Sequence, residues 1–168
     1  RTTSMIGKYR GGAVPAPPAG RAAADSPLAA DASAMADAVR TQLEEMELSN
    51  ALETVWGFVR RLNRYVEEQA PWKQAKQESA ALAPDSGSDA EAAVRAPLDA
   101  TLWDLAEGLR LLSVVLHPFI PATTAAIRQR LGLEAAAPTG DIPQPGRGEA
   151  ADAVPPAGRS WDEACWGL

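Results

Sequence analysis

The sequence predicts an all-α protein, an antiparallel bundle of four to five helices with a loose Pro/Gly/Ala-rich excursion towards its C-terminal end. Two features of composition favour helices: much of the 46% apolar content is alanine, and aromatic residues account for only 5% of the chain. A third observation is that apolar residues recur at steps of three and four, which places them on one face of a helix. Helices with one apolar face and short connections assemble as a bundle.

For the first part of the chain, residues 1–46, the sequence predicts the end of a helix, then a linker and then a long helix. Residues 1–10 have the pattern of the last turns of a helix, and the Gly-Gly pair that follows ends it. The prolines of residues 14–20 favour an extended linker. Ser26 is expected to be the N-cap of the next helix and Pro27 its first residue. The apolar face of that helix is predicted to comprise Leu28, Ala32, Met35, Val39, Leu43 and Met46.

A further helix is expected after an interruption at residues 48–50. Asn50 and Glu53 have the spacing of a capping-box variant that would open it. Pro71 ends this helix, and residues 71–76 are expected to start another helical turn. The apolar stripe of the helix is predicted to comprise Leu52, Val55, Trp56, Val59, Leu62 and Val66.

The clearest core helix follows a predicted loop at residues 83–88. Its leucines keep a 4-3-4-3-4 spacing, which defines a narrow apolar seam. Pro118 is expected to stop this helix, and Pro121 to open a final helix that ends at Gly132. The seam comprises Leu98, Leu102, Leu105, Leu109, Leu112 and Leu116.

The predicted organisation is therefore a helical bundle over residues 1–133 with two further segments. Residues 134–160 are rich in Ala, Pro and Gly without a period, so we expect a low-complexity loop or disorder there. Residues 161–168 carry Trp161 and Trp166, and we expect this short segment to dock back on the bundle.

Charge and composition narrow the functional class. A formal charge of −6 argues against a protein that grips duplex nucleic acid along a long basic surface, although a small basic patch is compatible with it. The single cysteine permits no internal disulfide, and no apolar run of about 18 residues could cross a bilayer. Without a signal-peptide pattern the protein is expected to be cytoplasmic. Because the chain starts at Arg1 in a helical segment, we interpret it as a fragment.

The sequence offers little for an independent catalytic centre. His117 is the only histidine, so a metal site built from carboxylate and histidine pairs on facing helices is not available. We expect His117 at a helix C-terminus, where it favours the negative end of the dipole. There is also no Gly-rich phosphate loop with a following lysine and no Cys-x-x-Cys pair. We therefore expect no catalytic residue and no metal site in this chain.

The most informative stretch is residues 62–76, where Trp72 follows a proline break. An aromatic face can stack on an unpaired base while nearby cations meet the phosphates, so the stretch suits single-stranded nucleic acid. The alternative is that a tryptophan after a helix-ending proline covers the end of a core. Taken alone, the residue pattern favours that alternative. The cations nearby in sequence are Arg60, Arg61, Arg64, Lys73 and Lys76.

A resemblance to a known family favours the nucleic-acid interpretation of residues 62–76 over the core-covering one. Residues 63–76 contain Asn-Arg-Tyr-Val, then Pro-Trp and Ala-Lys, and closely resemble a signature of the anticodon-binding domain in bacterial-type methionyl-tRNA synthetases. Residues 1–9 resemble the family's Asn-Arg-Thr-Leu-Ser-Met segment, beginning one residue late. Residues 51–56 resemble the start of its next helix, and residues 116–121 with 131–132 resemble its last core helices. The resemblance covers the chain as far as about residue 133, and the C-terminal end resembles the family's Trp-Gly segment.

The resemblance implies that this domain recognises the CAU anticodon of tRNA(Met). By position, Trp72 would stack on an unstacked anticodon base, and Arg1 would hydrogen-bond the cytosine. Glu67 matches a position near the anticodon pocket that is often acidic in the family. Arg64 and Lys73 complete the expected site. The family also uses an asparagine four residues before the arginine, upstream of this sequence.

The same resemblance implies what the intact protein does. Nothing here matches the family's His-Ile-Gly-His or Lys-Met-Ser-Lys-Ser adenylation motifs. The intact protein would be a methionine-tRNA ligase that uses ATP and Mg²⁺, and this chain alone would be catalytically inactive and need no cofactor. Its expected partners are the tRNA(Met) anticodon loop and its own N-terminal catalytic domain, with no membrane and no DNA.

Two other functions stay open at this point. The first is a helical protein-interaction module without RNA binding, which the net negative charge favours. The second is the anticodon-binding domain of another class I synthetase, such as the valyl or cysteinyl enzyme. The Pro-Trp signature argues against the second.

Overall fold

Helices are the regular secondary structure of the described part of the chain. A computed structural model describes residues 1–18, 20–82 and 88–133, and within them the chain forms α-helices and no β-strand. The helices are α1 (Thr2–Arg10), α2 (Ala29–Glu44), α3 (Leu48–Gln69), α4 (Pro71–Ala81), α5 (Ser88–Val115) and α6 (Pro121–Arg130), with a 3-10 turn at Ala23–Asp25 before α2. The predicted all-α class is confirmed. None of the helices in these residues has the length and apolarity needed to cross a membrane.

Helix α5 is the centre of the bundle, because α1, α2, α3, α4 and α6 all pack against it. The leucine seam is confirmed: Leu109 is half-buried, and the other five leucines are buried. Gly108 lets α3 approach closely, since a Cβ at this position would lie 2.6 Å from Leu62 Cδ2. Helix α5 begins at Ser88, ten residues before the first leucine of the seam, and contains Pro97.

Two groups of buried side chains form the core. The larger group joins α2, α3 and α5, and the smaller one joins α1, α5 and α6. The members of the smaller group are Ile6, Leu98, Leu102, Ala106 and Leu131. Helices α1 and α6 are therefore held to α5 by a separate apolar contact.

The start and end of α2 differ from the prediction. Ser26 Oγ accepts a hydrogen bond from the Leu28 N–H at 3.3 Å, but the helix begins only at Ala29, so Pro27 is not its first residue. Ser26 and Leu28 instead belong to a turn before the helix. At the other end, Met46 is 79% exposed with φ 61°, because the chain has already left α2 after Glu44. Met46 is thus wrong as a core residue.

The start and the apolar face of α3 also need correction. The helix begins at Leu48, and the Asn50 amide lies within its first turn and donates to Glu47 at 2.8 Å, so Asn50 does not cap it. Trp56 is 51% exposed and is wrong as a core residue, whereas Phe58 and Tyr65 are buried. The buried face is Ala51, Val55, Phe58, Leu62, Tyr65 and Val66, with Leu52 and Val59 at its margin.

The remaining elements agree with the sequence. Gly11 ends α1 in the left-handed region, α5 ends before Pro118, and α6 begins at Pro121 and is followed by Gly132. His117 follows the end of α5, with Nδ1 2.9 Å from Thr124 Oγ1 of α6. The loop was predicted over residues 83–88: residues 83–87 lie outside the described residues, and Ser88 is wrong as a loop residue because it begins α5. The segments predicted over residues 134–160 and 161–168 also lie outside the described residues.

Candidate nucleic-acid interface

The junction between α3 and α4 is a sharp turn at one residue. Ala70 lies in the left-handed region with φ 44° and ψ 62°, which costs an L-residue about 1 to 2 kcal/mol. Its N–H donates to Val66 O at 3.0 Å and its carbonyl accepts from the Lys73 N–H at 2.7 Å, so both helices fix the turn. Pro71 is buried at the first position of α4, where a missing N–H costs nothing. Strain of this kind is often found at functional sites.

This turn places Trp72 at the edge of the bundle. The indole is the second residue of α4, is 44% exposed and belongs to neither group of buried core residues. This exposure is the condition that stacking on a base requires. An indole that is partly held by packing and partly open has a free face available to a ligand.

An open cleft of about 550 Å³ lies between α1 and the α3–α4 junction. Its volume is within the range of about 300 to 1,000 Å³ that is usual for small-ligand pockets. The lining of the cleft contains both apolar and charged side chains. The lining residues are Arg1, Ser4, Met5, Val66, Glu67 and Trp72. Three residues predicted from distant parts of the sequence, namely Arg1, Glu67 and Trp72, therefore meet at one cleft.

Arg1 and Glu67 form an ion pair at this cleft. Arg1 Nη1 lies 3.4 Å from Glu67 Oε1, and the side chains are 78% and 62% exposed. A pair this exposed contributes at most about 1 kcal/mol, because water and salt screen it. A ligand can therefore exchange it for its own hydrogen bonds at little cost.

The two predicted cations Arg64 and Lys73 lie beside the cleft, not in its lining. Both are exposed, and the described part of the chain offers neither of them an ion pair. Arg64 lies one helical turn before Glu67, and Lys73 follows Trp72. By contrast, Arg60 and Arg61 are engaged in ion pairs: Arg60 with Glu53, and Arg61 with Asp31 and Glu68.

Sequence reasoning missed three lining residues, Ser4, Met5 and Val66. Ser4 and Met5 lie three and four positions after Arg1, and therefore on the same face of α1. Helical periodicity applied to α1 would have indicated them. Within the described residues no group of His, Cys, Asp and Glu is arranged to hold a metal ion.

Comparison with known proteins gives a consistent result. A family model described as the anticodon binding domain of methionyl tRNA ligase matches residues 14–145. The methionine-tRNA ligase of Deinococcus radiodurans is 38% identical over 135 residues, which make up 79% of this chain and 17% of that protein. The ligase of Enterococcus faecalis is 33% identical over 134 residues, covering 80% of this chain and 18% of that protein. The chain thus spans less than a fifth of the length of these relatives.

Solved structures show the same likeness. The free-state structure of Mycobacterium tuberculosis methionyl-tRNA synthetase matches with a TM-score of 0.63 and 28% identity, over 79% of this chain and 24% of that one. The structure of the same enzyme in complex with methionyl-adenylate matches with the same values.

Proposed function

The chain belongs to the family of methionyl-tRNA ligase anticodon-binding domains, and we propose that its cleft binds the CAU anticodon of tRNA(Met). One observation carries this proposal: Arg1 lines the same open cleft as Glu67 and Trp72, although it is 66 residues from Glu67 in sequence. They provide a stacking surface, hydrogen-bond donors and an acceptor, which are the groups that read an unpaired base.

Trp72 would stack on an anticodon base that has left the loop's own stack. Its exposed face is at the rim of the bundle, where a single-stranded loop can reach it. Base stacking on an aromatic side chain is worth about 1 to 3 kcal/mol and is available to every base. Trp72 would therefore supply affinity, and the choice of base must come from other groups.

Arg1 and Glu67 would supply that choice by reading cytosine. The Watson–Crick edge of cytosine carries an amino donor beside two acceptors, and uracil carries an acceptor in place of the amino group. The Arg1 guanidinium offers donors, and the Glu67 carboxylate, 3.4 Å away, offers an acceptor. The pair thus matches cytosine, whereas uracil would place a carbonyl oxygen against the carboxylate.

Arg64 and Lys73 would meet the phosphates of the loop. Both are exposed beside the cleft and carry no ion pair within the described part of the chain. A few cations around one loop are compatible with the net charge of −6, since only a short single strand is bound. The position of these side chains explains how an acidic protein can bind RNA locally.

For the intact protein we propose methionine-tRNA ligase activity in the cytoplasm. A catalytic domain outside this chain would use ATP and Mg²⁺ to attach methionine to tRNA(Met), and the present domain would select the tRNA. The family relationship and the methionyl-adenylate complex of the Mycobacterium tuberculosis enzyme support this proposal.

A titration with two RNA hairpins tests the function of the cleft. A fluorescein-labelled stem-loop with a CAU anticodon is compared with the same stem carrying a scrambled loop, at one fixed salt concentration. We expect the CAU hairpin to bind at least about tenfold more tightly, from the contacts that read the cytosine. Equal affinities would instead favour a helical protein-interaction module.

A further inference from the structure

A nearly buried ion cluster joins α1 and α4, two of the helices that border the cleft, to α5. Arg10 is the last residue of α1, Glu78 lies in α4 and Asp99 lies in α5. The three side chains are 13%, 12% and 23% exposed. No sequence pattern pointed to this cluster, and the cleft does not contain any of its members.

The geometry of Arg10 is that of a clamp. Nη1 donates to Glu78 Oε1 at 3.0 Å and Nη2 donates to Glu78 Oε2 at 2.7 Å, which is a bidentate contact. Nε donates to Asp99 Oδ1, and Nη1 also donates to the Tyr9 carbonyl at 2.9 Å. A planar guanidinium holds two carboxylates in fixed directions, which a lysine ammonium cannot do. The contact therefore fixes both the distance and the orientation of the helices.

The charge state of Arg10 is secure. Burial by itself lowers the pKa of a guanidinium, but hydrogen bonds and charge attraction from Glu78 and Asp99 outweigh it and raise the pKa of Arg10 overall. Arg10 therefore keeps its positive charge within the clamp.

The clamp lies several residues along α1 from Arg1 and several residues along α4 from Trp72. Arg1 is nine residues from Arg10 along α1, which is roughly 14 Å of helix, and Trp72 is six residues from Glu78 along α4, which is roughly 9 Å. The Arg1 side chain forms only an exposed ion pair with Glu67 within the described residues, whereas Ile6 holds the middle of α1 in the core. A small rotation of α1 about that anchor would therefore move Arg1 relative to Trp72.

We propose that Arg10 is a positioning residue for anticodon recognition, which sets the spacing between Arg1 and Trp72 by clamping α1 to α4 and α5. This inference rests on the proposed function of the cleft. Buried ion pairs often add little net stability compared with well-packed apolar residues, whereas their directed hydrogen bonds specify geometry. Geometry, and not stability, is the property that Arg10 supplies.

Arg10→Lys tests the inference, because it keeps the positive charge and removes the planar guanidinium that makes the bidentate contact. Arg21→Lys is the matched control: Arg21 donates to the fully buried Asp104 at 2.9 Å, but it joins the linker before α2 to α5 and does not touch α1 or α4. The double variant Arg10→Met with Glu78→Met removes the bidentate pair and leaves only the Asp99 carboxylate, which is 23% exposed and so can be hydrated; this variant guards against misfolding.

Two readouts separate positioning from stability. The first is the ratio of CAU to scrambled-loop affinity, measured well below the melting temperature. For Arg10→Lys we expect it to fall about tenfold, since a misplacement of interacting groups by about 1 Å can have effects of this size or larger. The second is the distance distribution between spin labels at Lys8→Cys and Lys76→Cys in a Cys165→Ser background, which needs no RNA. It should broaden in Arg10→Lys and in the double variant but not in Arg21→Lys.

The outcomes distinguish the two proposals. If wild-type protein discriminates CAU and folded Arg10→Lys discriminates equally well, the positioning role is overturned and the proposed function stands. An unchanged label distance in the Arg10 variants overturns the positioning role in the same way. If wild-type protein does not discriminate between the loops, the proposed function fails, and the role of Arg10 in recognition fails with it.

Discussion

Replacing Trp72 with alanine should weaken binding of the CAU hairpin while leaving the bundle folded. The indole is 44% exposed and belongs to neither group of buried core residues, so its loss should cost less than about 2 kcal/mol of folding free energy. The lost stack is worth about 1 to 3 kcal/mol, which corresponds to a decrease in affinity of roughly 5- to 150-fold. The effect should be largest for the CAU loop, since the cytosine contacts would hold that loop in the cleft.

Trp56→Ala provides a matched control within the same chain. Trp56 is similarly open at 51% exposure, but it lies on α3 roughly 15 Å along the helix axis from Val66 at the cleft. Fluorescence anisotropy with the labelled hairpin gives both affinities, and circular dichroism verifies the fold. Wild-type affinity in a folded Trp72→Ala protein, or an equal loss in Trp56→Ala, would refute the stacking role.

Three further variants test other parts of the structure. Glu67→Gln should reduce the preference for CAU over UAU hairpins by about tenfold, because an amide no longer repels uracil; an unchanged ratio would show that Glu67 does not read the base. Tyr65→Phe should lower the free energy of unfolding by about 1.5 to 3 kcal/mol, since the hydroxyl donates to the buried Asp104 carboxylate at 2.6 Å. Burial and this hydrogen bond raise the pKa of Tyr65 above its ordinary 10.0, so above pH 10 the unfolded chain loses a proton that the folded chain keeps. Wild-type stability should then fall by up to about 1.4 kcal/mol per pH unit, more steeply than that of Tyr65→Phe in parallel urea titrations. Gly108→Ala should destabilise by about 1 kcal/mol despite the better helix propensity, because its Cβ would meet Leu62 in the core; greater stability would contradict the close approach of α3 and α5.

Local patterns were enough to predict the central helix and the Pro-Trp break. The leucine seam of α5 needs only helical periodicity, and Pro71 opens α4 at the position that proline prefers. The face of α3 could not be predicted in this way. Tyr65 is buried with its hydroxyl donating a hydrogen bond to Asp104, which lies 39 residues later and is not marked by the local pattern. Trp56 is as apolar as a core residue in sequence, yet it is exposed.

In the candidate site, too, local patterns predicted some residues, and others depend on contacts between helices. The residue pattern of 62–76 indicated a basic stretch with one tryptophan, and only the resemblance pointed to Arg1 and Glu67 as its companions. Their meeting at one cleft depends on α1 packing against α5 next to the α3–α4 junction. The Arg10 cluster needs three helices in space, so no periodicity could have indicated it.

The most direct test of the account is an intermolecular nuclear Overhauser measurement between labelled tryptophan side chains and the CAU hairpin. We expect cross-peaks from the Trp72 indole protons to base protons of the anticodon, and none from the Trp56 indole, which serves as an internal reference. A saturated complex in which Trp72 shows no cross-peak to any base would contradict recognition at this cleft.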